Sequence, residues 1–158
     1  MVEDRVWQAQ AEAMLPMLWK LAAGMLHSRQ DAEDAVQQAL MRAWESRARA
    51  REETFRGYLL RILINECRNI QRRRMRVTPV EEMPLAAAPP ESHLREIYAA
   101  IDALPESLRL PLCLKYLEDL SEKEAARALG LPVTTFKSRL HRARKALQKT
   151  LDREVTLE

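Results

Sequence analysis

Four prolines stand between Thr78 and Pro90 (Pro79, Pro84, Pro89 and Pro90), and no 3.6-residue apolar pattern with a polar face crosses them. Proline removes a helix hydrogen bond and fixes φ, so the stretch predicts an extended linker over residues 77–91. The 158-residue chain is thereby divided into an N-terminal part, about 1–76, and a C-terminal part, about 92–152. Each part is too short for a large core, which predicts two compact units of marginal stability. Only 5% of the residues are aromatic, and Ala, Leu, Arg and Glu dominate. That balance disfavours sheets and predicts an all-α protein, two small helical bundles joined by a Pro-rich linker. No internal repeat relates the halves.

The net charge of +3 conceals a strong segregation. Residues 55–76 carry seven basic side chains against one acid, and residues 133–150 carry six against none. The remaining stretches are each acidic in balance. All the positive excess therefore sits in two short segments, each on an expected helix, the footprint of two separate polyanion contacts. The plainer alternative is that both basic faces are simply solvated.

In the first half, Val6, Trp7, Met14 and Leu15 mark one short helix, and Pro16 suits the first turn of a second that buries Leu18, Leu21, Ala22 and Met25. A third helix starts near Ser28 or Asp31, with Asp31, Glu33 and Asp34 near its positive end and an apolar stripe of Val36, Leu40, Ala43 and Trp44. A fourth spans about Thr54 to Met75, with Phe55, Tyr58, Leu59, Ile62, Leu63, Cys67 and Ile70 at amphipathic spacing on its inner face. Arg61, Arg68 and Arg72 then point away from the core, with Asn65 beside them. The run Arg72-Arg73-Arg74-Met75-Arg76 closes the helix. The macrodipole favours a cation or two there, but not four.

The second half opens with Leu94, Ile97, Tyr98, Ile101 and Leu104 on one helical face. Pro105 is expected at the first position of the next helix, and Pro111 inside it predicts a kink or break. Ser121-Glu122-Lys123-Glu124 has capping-box spacing, and Gly130-Leu131-Pro132 ends the helix that follows. A last helix starts at about Val133 and buries Phe136, Leu140, Ala143 and Leu147. The small Ala126, the turn at Gly130 and the apolar Phe136 suit two helices crossing tightly, a helix-turn-helix. The outer face of the second helix offers Thr134, Thr135, Lys137, Ser138, Arg139, His141 and Arg142, with Arg144 and Lys145 beyond. Arginine reaches guanine edges bidentately, and the hydroxyls and lysine also meet phosphates, which points to DNA.

These blocks together resemble the extracytoplasmic-function group of the sigma-70 family. Leu117-Glu118-Asp119-Leu120-Ser121 and the run from Pro132 to Arg144 are similar to its C-terminal domain. Asp31-Ala32-Glu33-Asp34-Ala35-Val36-Gln37-Gln38 through Trp44, and Phe55-Arg56-Gly57-Tyr58-Leu59 through Asn65, look like its core-binding and promoter-melting segments. The resemblance implies that residues 1–76 bind polymerase and melt the −10 element, and that 92–152 read the −35 element. It implies docking on the clamp coiled coil of the largest polymerase subunit through Asp31, Asp34, Gln37, Gln38 and Met41. It implies a flipped base held at Asn65, with Arg61, Arg68, Arg72, Arg73 and Arg74 on phosphates. On the last helix it implies −35 contacts from Thr134, Thr135, Lys137, Ser138, Arg139, His141 and Arg142. An anti-sigma protein is a further implied partner, alongside RNA polymerase core and promoter DNA. The chain departs from the family pattern at Gln38, where a carboxylate is usual, at Thr134 and Phe136, and in the loop Arg47-Ala48-Arg49-Ala50-Arg51, which lacks an aromatic residue.

Other classes fit less well. No apolar run approaches the roughly 20 residues of a membrane span, and no secretory signal opens the chain, so a cytoplasmic protein is expected, without membrane insertion. No large extension is expected after the last helix. Cys67 and Cys113 lie inside apolar patterns, which predicts small core residues in a reducing compartment and no disulfide. No metal-ligand spacing, phosphate loop or nucleophile–base pair appears among His27, His93 and His141. No enzyme, cofactor, metal or small-molecule substrate is therefore expected. An operator-binding helix-turn-helix regulator that works without polymerase remains the alternative, but it leaves the acidic helix and the first basic segment unused. A partner-binding helical protein without DNA contacts is opposed by the acid-free stretch from Val133 to Thr150.

Overall fold

The structure, a computed structural model, describes residues 3–51, 54–75, 92–117 and 120–157. The expected linker lies outside the described residues, as does Arg76. Among the described residues there are helices and turns and no strand. The chain divides into two compact units, Met1–Ala86 and Ala87–Glu158.

The first unit is a three-helix bundle. Helix α1 runs unbroken over Asp4–Leu26, so the two short helices expected on either side of Pro16 are one. The buried residues Trp7, Ala11, Met14, Leu18, Leu21, Ala22 and Met25 continue one stripe straight past the proline. Pro16 itself is exposed on the opposite side, where water can meet the carbonyl it leaves unbonded. The tertiary stripe outweighs the local cost. α1 ends at His27 in the left-handed conformation (φ 51°), and its N–H bonds to the carbonyl of Ala23 at 2.9 Å. Ser28 follows immediately as N-cap of helix α2, Arg29–Glu45, its hydroxyl accepting from the Asp31 N–H at 3.3 Å.

The inner face of α2 is Ala32, Ala35, Val36, Ala39 and Ala43, rotated from the expected stripe. Leu40 is only half-buried and Trp44 is 38% exposed. Four alanines let α2 approach its neighbours closely, and the larger side chains are turned to the rim. There the Trp44 ring meets Trp7 edge-on at 5.0 Å, with the Arg47 guanidinium 3.8 Å from its centre. A short 3-10 turn, Arg47–Arg49, leads towards helix α3, Phe55–Met75.

α3 packs on both other helices, so its buried arc is wider than spacing alone predicts. Phe55, Leu59, Leu63, Cys67 and Ile70 are inside as expected, and so are Gly57, Leu60 and Ile64. Tyr58 and Ile62 are only half-buried. The strip left to solvent is narrow and polar.

The second unit contains helices α4 (Ser92–Asp102), α5 (Glu106–Leu112), α6 (Glu122–Leu129) and α7 (Val133–Leu157). On α4, Ala100 is buried and Ile97 and Ile101 are half-buried, whereas Tyr98, expected inside, sits at the rim at 38% exposure. Pro105 is the N-cap of α5, one place earlier than expected, because its extended ψ of 147° aims its carbonyl at the N–H groups of Leu108 and Arg109 (2.9 and 2.8 Å). Pro111 lies inside α5, and two residues later the backbone widens into a π-helical turn over Cys113–Leu117, the expected break.

Ser121 and Glu124 form the expected reciprocal capping box, at 3.0 and 3.2 Å. α6 ends at Gly130 (φ 67°), and the Leu131 N–H reaches back to the carbonyl of Ala126 at 2.9 Å. α7 buries Phe136, Leu140 and Ala143 and half-buries Leu147. It continues to Leu157, since neither Gly nor Pro interrupts residues 133–157.

Candidate functional site

Helical spacing sets the first site. Arg61, Asn65, Arg68 and Arg72 follow at intervals of four, three and four, so they share the one strip of α3 that no neighbour covers. Arg61, Asn65, Arg72 and Arg73 are exposed, and Arg68 is half-buried.

Between this strip and the end of α2 lies a groove of about 740 Å³, lined among others by Arg42, Arg49, Tyr58, Asn65, Asn69 and Arg72. Asn65 presents a neutral amide with two donors and an acceptor, the kit for a base edge. Arg72 donates to the Asn69 side-chain oxygen at 3.1 Å, so Asn69 helps orient it. The loop Arg47–Arg51 has no aromatic residue, but Tyr58 lines the groove from α3, its hydroxyl bonded to that of Ser46. The spacing of Tyr58 matches the apolar face of α3 and predicts a core position, and nothing local marks it as the groove's ring.

Arg74 lies apart from the others. It is half-buried, and its guanidinium closes on the Asp31 carboxylate (Nε to Oδ2 2.8 Å) and on the carbonyl of Leu26. Gln71 donates to the carbonyl of Met25 at 3.1 Å. These two side chains satisfy carbonyls at the end of α1 that the helix leaves unbonded. Arg74 therefore acts as a pin among three helices, while Arg72 and Arg73 reach solvent. Asp31, grouped with the docking residues by resemblance, is the pin's other half.

On α2, Asp34, Gln37, Gln38 and Met41 are exposed, Met41 at 57%. They form a polar stripe ending in one large apolar side chain. Asp34 and Gln38 line a second cleft, about 540 Å³, together with Arg42, Glu66 and Arg73. Arg42 and Glu66 also line the first groove. They form an ion pair at 2.6 Å, and Glu66 is buried at 5% exposure. Helical spacing alone does not pair these two residues, which lie on different helices. The signal available was a single acid inside a basic run, set between the apolar Leu63 and Cys67.

The second site is α7. Thr134, Lys137, Ser138, His141 and Arg142 are exposed, and Thr135 and Arg139 are half-buried against α7's inner side. The buried trio Ala126, Leu129 and Phe136 seats α7 on α6 and leaves this face free. Lys137 approaches Glu122 at 3.6 Å, but both are well exposed, so the bridge contributes about 0–1 kcal/mol and yields easily to a phosphate. Arg144 stands over the Tyr116 ring at 5.1 Å, which fixes one more cation beside the face.

Among the described residues, no group of three or more His, Cys, Asp or Glu side chains is placed to hold a metal ion. Among the same residues, no helix is long and apolar enough to cross a membrane. Cys67 is buried and Cys113 half-buried. What the two surfaces offer is recognition of nucleic acid and of a protein partner.

Comparison with known proteins points the same way. Residues 11–77 match the family model described as Sigma-70 region 2, and residues 94–147 match Sigma-70, region 4. The chain is 30% identical over 151 residues to the RNA polymerase sigma-H factor of Pseudomonas aeruginosa, covering 83% of this chain and 78% of that protein. It is 29% identical over 157 residues to the ECF RNA polymerase sigma factor SigE of Mycolicibacterium smegmatis, with 92% of this chain covered but only 61% of the relative's length. Among solved structures, the sigma factor RpoE of Bartonella quintana, in complex with the anti-sigma factor NepR, superposes with a TM-score of 0.76 at 28% identity, covering 92% of this chain and 96% of that one. CnrH, in complex with the cytosolic domain of CnrY, gives a TM-score of 0.70 at 25% identity, covering 95% and 90%.

Proposed function

The chain belongs to the sigma-70 family, as a sigma factor of the extracytoplasmic-function type, and from that premise we propose how its two units divide the work of promoter recognition. The unit with α1 to α3 binds RNA polymerase core and opens the −10 element. The unit with α4 to α7 reads the −35 element as duplex. The chain acts by binding in the cytoplasm and carries out no chemical turnover of its own.

Docking uses the exposed stripe of α2. Asp34, Gln37 and Gln38 meet the clamp coiled coil of the largest polymerase subunit, and Met41 supplies an apolar anchor. Asp31 contributes at the rim while holding Arg74.

The −10 element is melted over the strip of α3. A base leaving the stack enters the groove at Asn65, whose amide reads its edge and whose neighbour Tyr58 offers a ring to stack upon. Arg61, Arg68, Arg72 and Arg73 track the phosphates, and Arg74 supports them from inside the bundle. Unstacking costs a few kcal/mol, which a stacking ring and a cationic track offset.

The −35 element lies against α7. Arg139 and Arg142 are placed for base edges, and Thr134, Thr135, Lys137, Ser138 and His141 for bases or backbone. The similar sigma factor solved with the anti-sigma factor NepR supports the same class of partner here, one that covers these surfaces until transcription is needed.

The observation that carries the reading is the groove at Asn65, lined by Tyr58, Asn69 and Arg72 of α3 and by Arg42 and Arg49 at and after the end of α2. Run-off transcription tests it, with purified core polymerase and fragments of DNA upstream of the chain's own gene. New, discrete start sites that vanish in Asn65→Ala and Arg139→Ala variants are the expected result. A chain that neither supports transcription nor binds core in a pull-down overturns the reading and leaves an operator-binding regulator.

A further inference from the structure

Lys137 and Arg144 lie seven residues apart on one row of α7, with His141 between them at intervals of four and three. Both are met by side chains from outside that helix, and by opposite chemistry. Arg144 stands 5.1 Å from the centre of the exposed Tyr116 ring. A ring covers the face of a guanidinium and leaves its N–H edge free, so Arg144 keeps its full charge for a phosphate. Lys137 instead faces a carboxylate, that of Glu122, at 3.6 Å.

α7 carries no acid between Val133 and Thr150, so the carboxylate that reaches Lys137 comes from α6. Two acids stand in the first turn of α6. Glu124 closes the capping box, whereas Glu122, at the first helical position, reaches across to α7. The helix dipole favours an acid at that position, but not its placement against a cation of the next helix. The bridge adds little to stability, because both side chains keep access to water (36% and 62% exposed). What remains when the bridge opens is the carboxylate, fixed on a capped helix beside the place where Lys137 meets DNA.

In helix-turn-helix docking the first residues of the second helix meet base edges, and the first helix crosses the backbone. Lys137, the fifth residue of α7, and Glu122, the first of α6, therefore meet where base edges border the backbone. A phosphate taken by Lys137 is brought up against the Glu122 carboxylate, and the two anions repel. A guanine edge is a neutral acceptor and meets no such repulsion. The ammonium has three donors, enough to keep one on the carboxylate and give two to the guanine oxygen and nitrogen. We infer that Glu122 is a specificity-determining residue that turns Lys137 from phosphate contact to base reading at the −35 element. The inference rests on the sigma-factor reading above and deepens it, since Lys137 there serves bases or backbone alike. Specificity is a difference of affinities, and Glu122 raises it by weakening the hold on wrong sequences.

The test measures binding of the full chain to two duplexes by fluorescence anisotropy over a salt series. One duplex carries the −35 region upstream of the start site mapped by run-off transcription, and the other carries the same bases in scrambled order. Glu122→Gln keeps the side chain's shape and removes its charge. It is expected to tighten binding at least about threefold on the scrambled duplex and less than about twofold on the −35 duplex. The salt slope on the scrambled duplex is expected to steepen by about 0.9, one added phosphate contact. Lys137→Ala is expected to lower the preference for the −35 duplex at least about fivefold, the lower end for a lost base contact. The double variant Glu122→Gln with Lys137→Ala is expected to lose the gain on the scrambled duplex. Equal tightening on both duplexes overturns the inference, as does a gain that persists without Lys137, because either makes Glu122 a general charge. A Glu122→Gln variant that binds both duplexes as wild type does overturns it too. Weaker binding to both, together with a lower melting temperature, overturns it by assigning Glu122 to the folding of α6. A wild-type chain that binds the two duplexes alike removes the −35 reading itself, a different and separately visible result.

Discussion

Arg74 and Asp31, forty-three residues apart, close on each other with Arg74 Nε 2.8 Å from Asp31 Oδ2, and Arg74 also donates to the carbonyl of Leu26. One guanidinium thus joins the end of α3, the start of α2 and the end of α1. It stands beside Arg72 and Arg73, which share its charge and have none of its contacts with Asp31.

That difference separates folding from binding within a single arginine run. Arg74→Ala is expected to destabilise the first unit by about 1–3 kcal/mol, through loss of charge-assisted bonds in a partly buried setting. Arg73→Ala is expected to stay within about 0.5 kcal/mol of wild type. Urea unfolding followed by circular dichroism measures both. Equal destabilisation by the two variants contradicts the pin.

Phosphate contacts show themselves in salt dependence. Arg72→Ala and Arg73→Ala are each expected to lower the slope of log affinity against log salt by about 0.7 for single-stranded promoter DNA bound to the holoenzyme. An unchanged slope with reduced affinity places those side chains away from the backbone.

The ring in the groove predicts a graded series. Tyr58→Phe keeps the stacking surface and loses only the bond to Ser46, so open-complex formation is expected to fall by less than about tenfold, worth roughly 1 kcal/mol. Tyr58→Ala loses the surface as well, and stacking is worth about 1–3 kcal/mol per base. Permanganate reactivity of unpaired thymines reads the result, and equal effects from both variants count against a stacking role.

The second unit is small, and its packing centres on Phe136, which is fully buried beneath the α6–α7 turn. Phe136→Ala is expected to cost about 3–5 kcal/mol, enough to abolish duplex binding by unfolding the recognition helix's support. Ser121→Ala removes one half of the capping box and is expected to cost only about 1 kcal/mol. Thermal melts of the full chain together with band shifts on −35 duplex distinguish the two.

Much of this architecture was legible without coordinates, because the signals are local. Helix α3 spans nearly its expected range, since Phe55, Leu59, Leu63, Cys67 and Ile70 repeat at helical spacing and no breaker intervenes. Ser121, Glu124 and Gly130 announce the limits of α6 through hydrogen bonds that reach only a few residues. Pro111 signals the break that the π turn then makes. Even the outward strip of α3, with Asn65 among its arginines, follows from placing the apolar residues inside.

What spacing could not supply was partnership. The expectation of a break at Pro16 used a sound local rule, yet a buried stripe on both sides of the proline holds α1 in one piece. The alanines of α2 carry too little hydrophobicity to identify its inner face, and only contact with α3 shows that small size selected them. Tyr58 has the spacing of a core residue and the surroundings of a groove.

The sequence by itself determined the helices, their caps and the two runs of positive charge, because propensity, periodicity and composition act over a few residues. The tertiary structure alone decided which charges remain available. Arg72, Arg73 and Arg74 are neighbours of one kind in the chain. Asp31 meets only Arg74 because three helix ends converge there, and Glu66 meets Arg42 because α2 and α3 bring them within 2.6 Å. A charged side chain takes its role from what the fold places within a few ångströms of it, and for these four residues that neighbour is at least twenty-four positions away along the chain.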